Sequence, residues 1–499
     1  MKNPLPNIVI VLADDTGYGD PPCYNAESRI PMPHVDQLAR EGVRFTDAHS
    51  PSALCTPTRY ALLTGRYYWR TPKKHALVMP YEPPVIEQWR PTLPRMLAKA
   101  GYETACVGKW HLGFRYPARG AEPNYTTNES EIDFTRPLEG GPCDVVFDDF
   151  FGTAGCSTSD PPYCFIENRH TVGLPTVPST EELHKLPGFY PGLMAEDWDE
   201  ERVDTRHLAK AIEFIDRHRS NRPEDPFFLY LPISAPHNPW LPPDFARGVS
   251  GEGPRGDMNV LVDWCLGQIS DALEERGILD DTLVVFTSDN GPMRGENGQR
   301  SAGNLRGYKN TAFEGGHRIP FVARWPGHIP AGGVSNELIC LADIYATLAD
   351  LVGVGLDDDC AEDSFSVLPA LVADDQYQST GIGHAPSGSQ PLRPALVSDT
   401  GGFSSAVGDF AMRVGRWKLI SLARADDDTL AMRRKPVTDA INGVLLFDLD
   451  TDPEEKNNLA NVHPQIVLRL ARLLDETRKR DARFMEYPGS VTERGGGRG

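Results

Sequence analysis

The chain repeats one unit: an amphipathic helix, a turn, a short strand apolar on both faces, and then a polar cluster. Leu93, Met96, Leu97 and Ala100 mark a helix over Thr92 to Ala100 that Gly101 ends, and "YETACVGKWHLG" then runs to Lys109 and His111. Leu208, Ala211, Ile212 and Ile215 mark a second helix before "FFLYLPISAPHNPW", which carries His237. A third, with Met258, Leu261, Val262, Cys265, Leu266, Ile269 and Leu273, precedes "TLVVFTSDNGP" with Asp289 and Asn290. The opening strand "NIVIVLADDTGYGD" delivers Asp14 and Asp15. Continuously apolar strands that alternate with helices predict a parallel sheet covered on both faces, and such sheets bind ligands beyond the carboxyl ends of their strands. The expected fold is therefore α/β, a large and mostly parallel sheet flanked by helices. It would bring the polar clusters to one edge. Taken singly, each has an ordinary reading: Asp14 and Asp15 as turn residues, "SDNG" as a loop, His237 as a packed loop histidine. Their recurrence after a strand is what points to a site.

The segment "SPSALCTPTRYALLTGRYYWR", Ser50 to Arg70, adds a cysteine before a strong helix start. Thr56 is a good N-cap, Pro57 suits the first helical position and Gly65 suits the stop, which places Cys55 at the helix mouth with Arg59 one turn in. Unpaired N–H groups and partial positive charge at such an end stabilise an anion. Two readings stay open from these residues alone: a thiol aimed at an anion, or a small buried apolar residue at a turn.

Composition narrows the function classes. At 499 residues the chain can bury a large core and exceeds the usual single-domain size. The longest apolar runs, such as "IVIVLA", are too short to span a bilayer, and a net charge of −20 argues against nucleic acid or an anionic membrane as partner. Nine cysteines in a chain this long do not make a small disulfide framework, and the odd count leaves at least one unpaired, though Cys143, Cys156 and Cys164 lie close enough in sequence for a local bridge. No Cys/His spacing of a structural zinc site occurs. The start "MKNPLPNIVIVLADD" shows no signal peptide, so a cytoplasmic protein is expected, or a periplasmic or secreted one where a leader precedes this chain. A catalytic domain is expected over 1–373 and a linker over 374–391. A smaller C-terminal α+β domain should follow over 392–488, with "FAMRVGRWKLI" and "GVLLFDL" as strands of an antiparallel sheet and Ile466, Leu468, Leu470, Leu473 and Leu474 on a helix. Residues 489–499 should be a disordered tail.

Asp14, Asp15, Asp289 and Asn290 offer only oxygen ligands, which suits one hard cation such as Ca²⁺ or Mg²⁺ better than zinc. Arg59, Lys109 and Lys309 supply fixed positive charge, and His111 and His237 can transfer protons near neutral pH. Such a set would bind an anionic ester and break it. The chain resembles the type I sulfatases of the alkaline phosphatase superfamily over nearly its whole length: "PNIVIVLADDTGYGD", "CTPTR" as a C-x-P-x-R signature, "GKWHLG", "APHNP", "TSDNG", "RGYKNTAFEGGHRIPFVARWPG" and "LFDLDTDPEEKNNLA" occur in family order.

The resemblance implies that a maturation enzyme oxidises Cys55 to Cα-formylglycine, whose hydrate attacks sulfur, and that Asp14, Asp15, Asp289 and Asn290 hold one Ca²⁺. It further implies that Arg59 and Lys109 steady the formylglycine, that His237 with Lys309 binds sulfate and protonates the leaving alcohol, and that His111 takes a proton from the remaining hydroxyl as sulfate leaves. The substrate would be a sulfated small molecule or carbohydrate, contacted through loops within Tyr116 to Arg169 and near Trp240 that carry no readable code. Oligomeric state is not legible. Two alternatives stand beside this reading. One is a phosphonate monoester or phosphodiester hydrolase, disfavoured because Asn290 rather than histidine follows Asp289. The other is an inactive protein that binds sulfated ligands with Cys55 unmodified.

Overall fold

The computed structural model describes residues 5–74, 76–120, 124–145, 147–295, 297–372, 391–401, 408–422, 440 and 442–480. Its centre is a ten-stranded sheet in the order Gly333–Ser335, Val43–Phe45, Phe321–Arg324, Thr282–Ser288, Asn7–Ala13, Phe227–Pro232, Glu103–Lys109, Asp149–Thr153, Phe165–Glu167, His170–Val172. The five strands from Thr282–Ser288 to Asp149–Thr153 are mutually parallel, and Phe321–Arg324 and Phe165–Glu167 add antiparallel neighbours on either side.

The apolar-on-both-faces pattern has a direct structural meaning. Ile8, Ile10 and Leu12 point into one core with Phe228, Tyr230, Leu283 and Val285, while Val9, Val11 and Ala13 point into a second core with Leu229, Leu231, Val284 and Phe286. Successive side chains of a strand leave opposite faces, so a sheet sandwiched between helices needs no polar register. The helices Val203–Asn221 and Pro254–Glu275 cover one face through Leu208, Ala211 and Ile215 and through Met258, Leu261, Val262, Cys265, Leu266, Ile269 and Leu273. Cys55–Thr64, Leu93–Lys99 and Asp343–Val352 cover the other.

Towards the C-terminus a four-stranded antiparallel sheet, Leu396–Asp399, Phe410–Val414, Trp417–Ser421 and Val444–Asp448, packs with the helix Pro464–Lys479. Leu470, Leu473 and Leu474 are buried there, but Leu468 is exposed: at helical spacing it falls on the opposite side from that triplet. This sheet is seated on the larger one through Phe313 against Ile420, Leu445 and Phe447, and through Tyr67 and Trp69 against Leu396, Phe410 and Met412. The expected linker, except Pro391, and the expected tail lie outside the described residues. No helix among the described residues is long and apolar enough to cross a membrane.

Two local expectations are corrected. The helix at the cysteine begins at Cys55 itself, with Leu54 as an extended N-cap residue lacking a side-chain cap. Thr56 instead spends its hydroxyl on tertiary contacts, donating to the His111 carbonyl at 3.1 Å and accepting from the Val78 amide at 3.3 Å. The stop at Gly65 is as expected, with φ 64° and its N–H on the Ala61 carbonyl. Cys143, Cys156 and Cys164 form no bridge, and all nine cysteines are free. Each has other surroundings: Cys164 is buried in a core, the Cys143 thiol donates to Asn168, and Cys156 lines the pocket described next.

Candidate active site

All ten residues singled out from the sequence lie at or just beneath one pocket beyond the carboxyl ends of the parallel strands. Asp14 and Asp15 follow Asn7–Ala13, Lys109 ends Glu103–Lys109 with His111 two residues on, His237 follows Phe227–Pro232, and Asp289 and Asn290 follow Thr282–Ser288. Asp15 and His111 both adopt left-handed backbone, φ 76° and 56°, which turns the chain sharply as it leaves the sheet. Such strain in non-glycine residues persists where surrounding structure enforces it and concentrates at functional sites.

The floor is a buried lattice of charges. Arg59 donates from Nε and Nη2 to Asp289 Oδ2 at 3.0 and 2.8 Å, and from Nη1 to the Lys109 carbonyl at 2.9 Å. The Lys109 ammonium pairs with Asp14, and Lys309 donates to both Asp15 oxygens at 2.6 and 2.8 Å. Arg59 thus acts through Asp289 and Lys109 in holding the floor, whereas Lys309 Nζ is 3.5 Å from Cys55 Sγ. Burial opposes the charge on Asp14, but Lys109, and after it His237, Arg59 and Lys309, keep its carboxyl well below the usual range. Asp289 goes the other way: burial, then Asp14, push it up against Arg59 and Lys109. The Cys55 thiol donates to Asp14 Oδ1 at 3.4 Å; a hydrogen bond with Cys156, then burial and the two aspartates, push it well up. A free thiolate nucleophile does not fit that environment.

The oxygen set fits a hard cation. Asn290 Nδ2 donates to Asp15 Oδ1 at 2.6 Å, while Asn290 Oδ1 is buried with no hydrogen-bond partner. An orphaned carbonyl oxygen beside three carboxylates is costly unless a cation takes it. Asp14, Asp15 and Asp289 each bring a carboxylate oxygen, and Cys55 its sulfur, to within 4.8 Å of one another.

The pocket above the floor has a volume of about 200 Å³. Leu54, Leu77, Val78, Met79 and Met293 make an apolar wall; His111, Cys156, Asp160, His237 and Asn238 make a polar one. His111 Nε2 lies 3.1 Å from the Val78 carbonyl, and His237 Nδ1 lies 2.6 Å from the Asn238 carbonyl. Since a carbonyl only accepts, each neutral ring carries its proton there and turns its other nitrogen inward. Of the loops expected to meet the alcohol, 156–160 does line the pocket, whereas Trp240 turns its indole N–H to the Pro236 carbonyl at 3.0 Å. Cys156, Asp160, Asn238 and Asn310 were not anticipated. Cys156 and Asp160 follow the fifth parallel strand, Asp149–Thr153, so the strand-then-polar-cluster pattern could have found them.

Comparison with known proteins agrees with this geometry. A family model described as Sulfatase matches residues 6–354. The chain belongs to the sulfatase family. It is 34% identical to N-acetylgalactosamine-6-O-sulfatase of Bacteroides thetaiotaomicron over 95% of this chain and 93% of that one, and 34% identical to human arylsulfatase A over 94% and 87%. Among solved structures, a sulfatase from glycosaminoglycan metabolism in Bacteroides thetaiotaomicron superposes with a TM-score of 0.79 at 31% identity, covering 96% of this chain and all of that one. The phosphonate monoester hydrolase of Agrobacterium radiobacter shares the fold, with a TM-score of 0.60 at 19% identity over 95% and 96% of the two chains. As a sulfatase, the protein is a sulfuric ester hydrolase.

Proposed function

We propose that this sulfatase hydrolyses aryl or carbohydrate sulfate monoesters by way of a formylglycine at position 55 and one Ca²⁺ held by Asp14, Asp15, Asp289 and Asn290. The observation that carries this reading is the position of Cys55, at the start of a helix, between Asp14 Oδ1 and Lys309 Nζ, and opening into the pocket. When formed, the aldehyde hydrate would supply an attacking hydroxyl and a second hydroxyl whose deprotonation expels sulfate; the bound ion would polarise the sulfate oxygens.

The chain's own residues then divide the work. Arg59, Lys109 and Lys309 balance Asp14, Asp15 and Asp289 one for one, so a divalent ion leaves the floor with the positive charge that a sulfate ester and its dianionic product require. Lys309 reaches position 55 and stabilises charge on the oxygens there. His237, its Nδ1–H pinned by Asn238, presents Nε2 to the pocket and is placed to protonate the leaving alcohol. His111, pinned through Val78, presents Nδ1 and is placed to take the proton whose loss releases sulfate. The apolar wall from Leu54 to Met293 and the polar edge of Asp160 and Asn238 suit a single aromatic or sugar ring with a polar rim.

Mass spectrometry of the Cys55 peptide from protein that turns over an aryl sulfate should show the aldehyde; active protein with only unmodified Cys55 overturns the nucleophile. Exhaustive chelation should abolish activity and Ca²⁺ restore it; full activity after chelation overturns the metal. With one aryl leaving group, kcat/KM should fall from sulfate to phosphonate monoester to phosphate monoester, and Asn290→His should narrow the first gap. A faster phosphonate would favour the alternative enzyme reading, whose fold this chain shares.

A further inference from the structure

We propose that Asp160 is a specificity-determining residue of this sulfatase, a fixed negative charge in the pocket wall that admits esters of neutral or cationic alcohols and turns away those whose alcohol carries a second anion. Among the described residues that line the pocket, only Asp160 and Lys309 carry a fixed charge; the other polar side chains there, Ser159, Tyr190, Asn238 and Asn310 among them, are neutral. Lys309 is committed to the floor, where it donates to both Asp15 oxygens and stands 3.5 Å from Cys55 Sγ. Asp160 has no comparable partner. No lysine or arginine among the described residues comes within 4.0 Å of its carboxylate, and His111 Nε2, at 3.9 Å, already donates to the Val78 carbonyl. Arg294 follows the pocket residue Met293 but is exposed and does not line the cavity.

The carboxylate is held in place by its surroundings. Asp160 is only 9% exposed, and its Oδ2 accepts the Cys156 N–H at 2.8 Å. Gly155 makes the room it needs: a Cβ there would fall 2.9 Å from Oδ2 and 3.0 Å from the Asp160 Cβ, closer than packed atoms come. An oxygen of Asp160 lies within 4.8 Å of Cys156 Sγ, and that sulfur is 3.7 Å from His237 Nε2, the nitrogen placed to protonate the leaving alcohol. The carboxylate therefore stands within reach of a substituent on the first ring of that alcohol. A hydroxyl or ammonium there can donate to it, whereas a second sulfate or a carboxylate meets a like charge with no cation beside it. A pocket discriminates by such repulsion as much as by attraction. Where the leaving alcohol sits rests on the proposed reaction; the charge of the wall does not.

Three aryl sulfates test this, carrying aminomethyl, hydroxymethyl or carboxymethyl at the meta position; the methylene insulates the ring, so the three phenols leave with similar ease. In the wild type kcat/KM should fall in that order, with the carboxymethyl ester on the order of tenfold below the hydroxymethyl one, as like charges a ring apart near a protein surface require. Asp160→Asn keeps an oxygen for the Cys156 N–H and removes the charge, so it should abolish most of that gap. Asp160→Glu, with the charge retained, should keep it. Every other charge in the protein acts on both variants alike, and Asp160→Ser supplies the neutral side chain should the asparagine variant not fold. Calorimetric titration of Cys55→Ala in calcium buffer should give the same order in Kd. A carboxymethyl ester as good as the hydroxymethyl one in the wild type, or a gap that persists in the folded neutral variant, overturns the proposal. The expected order in Kd alongside a wild type that cleaves none of the three would sink the proposed reaction and leave the selection by Asp160 standing.

Discussion

Two buried polar clusters in this molecule look alike in composition and differ in kind. The pocket floor gathers Asp14, Asp15, Asp289, Arg59, Lys109 and Lys309. The junction between the large and small sheets gathers Asp47, His49, Glu314, His317, Lys418 and Glu455. At the junction His49 meets Asp47 at 2.9 Å and His317 at 3.0 Å, and Lys418 Nζ reaches Glu314 and Glu455 at 2.9 Å and His317 at 3.0 Å. His49, Glu314 and His317 even bring ligand atoms within 4.8 Å of one another. Yet the Lys418 ammonium already occupies the place a cation would take. The floor instead keeps an orphaned Asn290 oxygen and opens through Cys55 and Lys309 into a cavity, whereas Glu455 Oε1 at the junction, which also makes no hydrogen bond, lies against the Lys418 ammonium. Burial and charge are common to both, so they do not mark a reaction centre; an unsatisfied ligand atom beside a cavity does.

The sharpest way to break this contrast is Cys55→Ala. Removal of the nucleophile should cost on the order of 10⁶ in kcat, with an unchanged melting temperature, read by aryl sulfate turnover and calorimetry; appreciable residual turnover would refute it. Lys418→Met should do the reverse. It strands Glu314 and Glu455 in the interior and should destabilise by about 3–5 kcal/mol in denaturant titration, while the folded protein keeps its kcat/KM. Equal damage to activity would join the junction to the site.

Asn290→Ala should reduce kcat roughly 10²–10³-fold, the scale of losing one preorganised charge-stabilising group. In calcium-free buffer it should cost about 1.5–3 kcal/mol of stability, the scale of the lost Nδ2 hydrogen bond to the Asp15 carboxylate, because the oxygen it removes has no partner. The smallest effect concerns pH. Burial raises the Glu455 carboxyl from 4.5 to about 7, against the pull of Lys418. A folded pKa above the unfolded value stabilises the fold in the protonated form, so this contribution is complete below pH 4.5 and is lost as pH rises through 7. Wild type should therefore lose stability relative to Glu455→Gln across that interval; parallel melting curves for the two would refute the assignment.

The parallel sheet and much of its site were legible because the signals are local and repeated. Apolar runs such as "NIVIVLA" and "FFLYLP" can be buried only between two helical layers, and the residues immediately after them must then emerge at one edge. The same logic, applied to "DFFGT", reaches Cys156 and Asp160, whereas closeness in sequence says nothing of pairing among Cys143, Cys156 and Cys164, which are all free. The Thr56 cap failed for a related reason. Its preference for a helix end is a weak local tendency, and contacts with His111 and Val78, distant in sequence, outweigh it.

By itself the sequence determined which residue types stand at each strand end, hence the oxygen-only ligand set, the C-x-P-x-R start and the charge balance around it. Those follow from hydrophobic periodicity and chain order, which are properties of the unfolded string as much as of the fold. Only the tertiary structure decided that Arg59 reaches Asp289, that Val78 and Asn238 fix which nitrogens His111 and His237 present, and that the Cys156 sulfur stands between them. These are relations of angle and distance between segments far apart in the chain, set by how the helices pack on the sheet, and no local pattern encodes them.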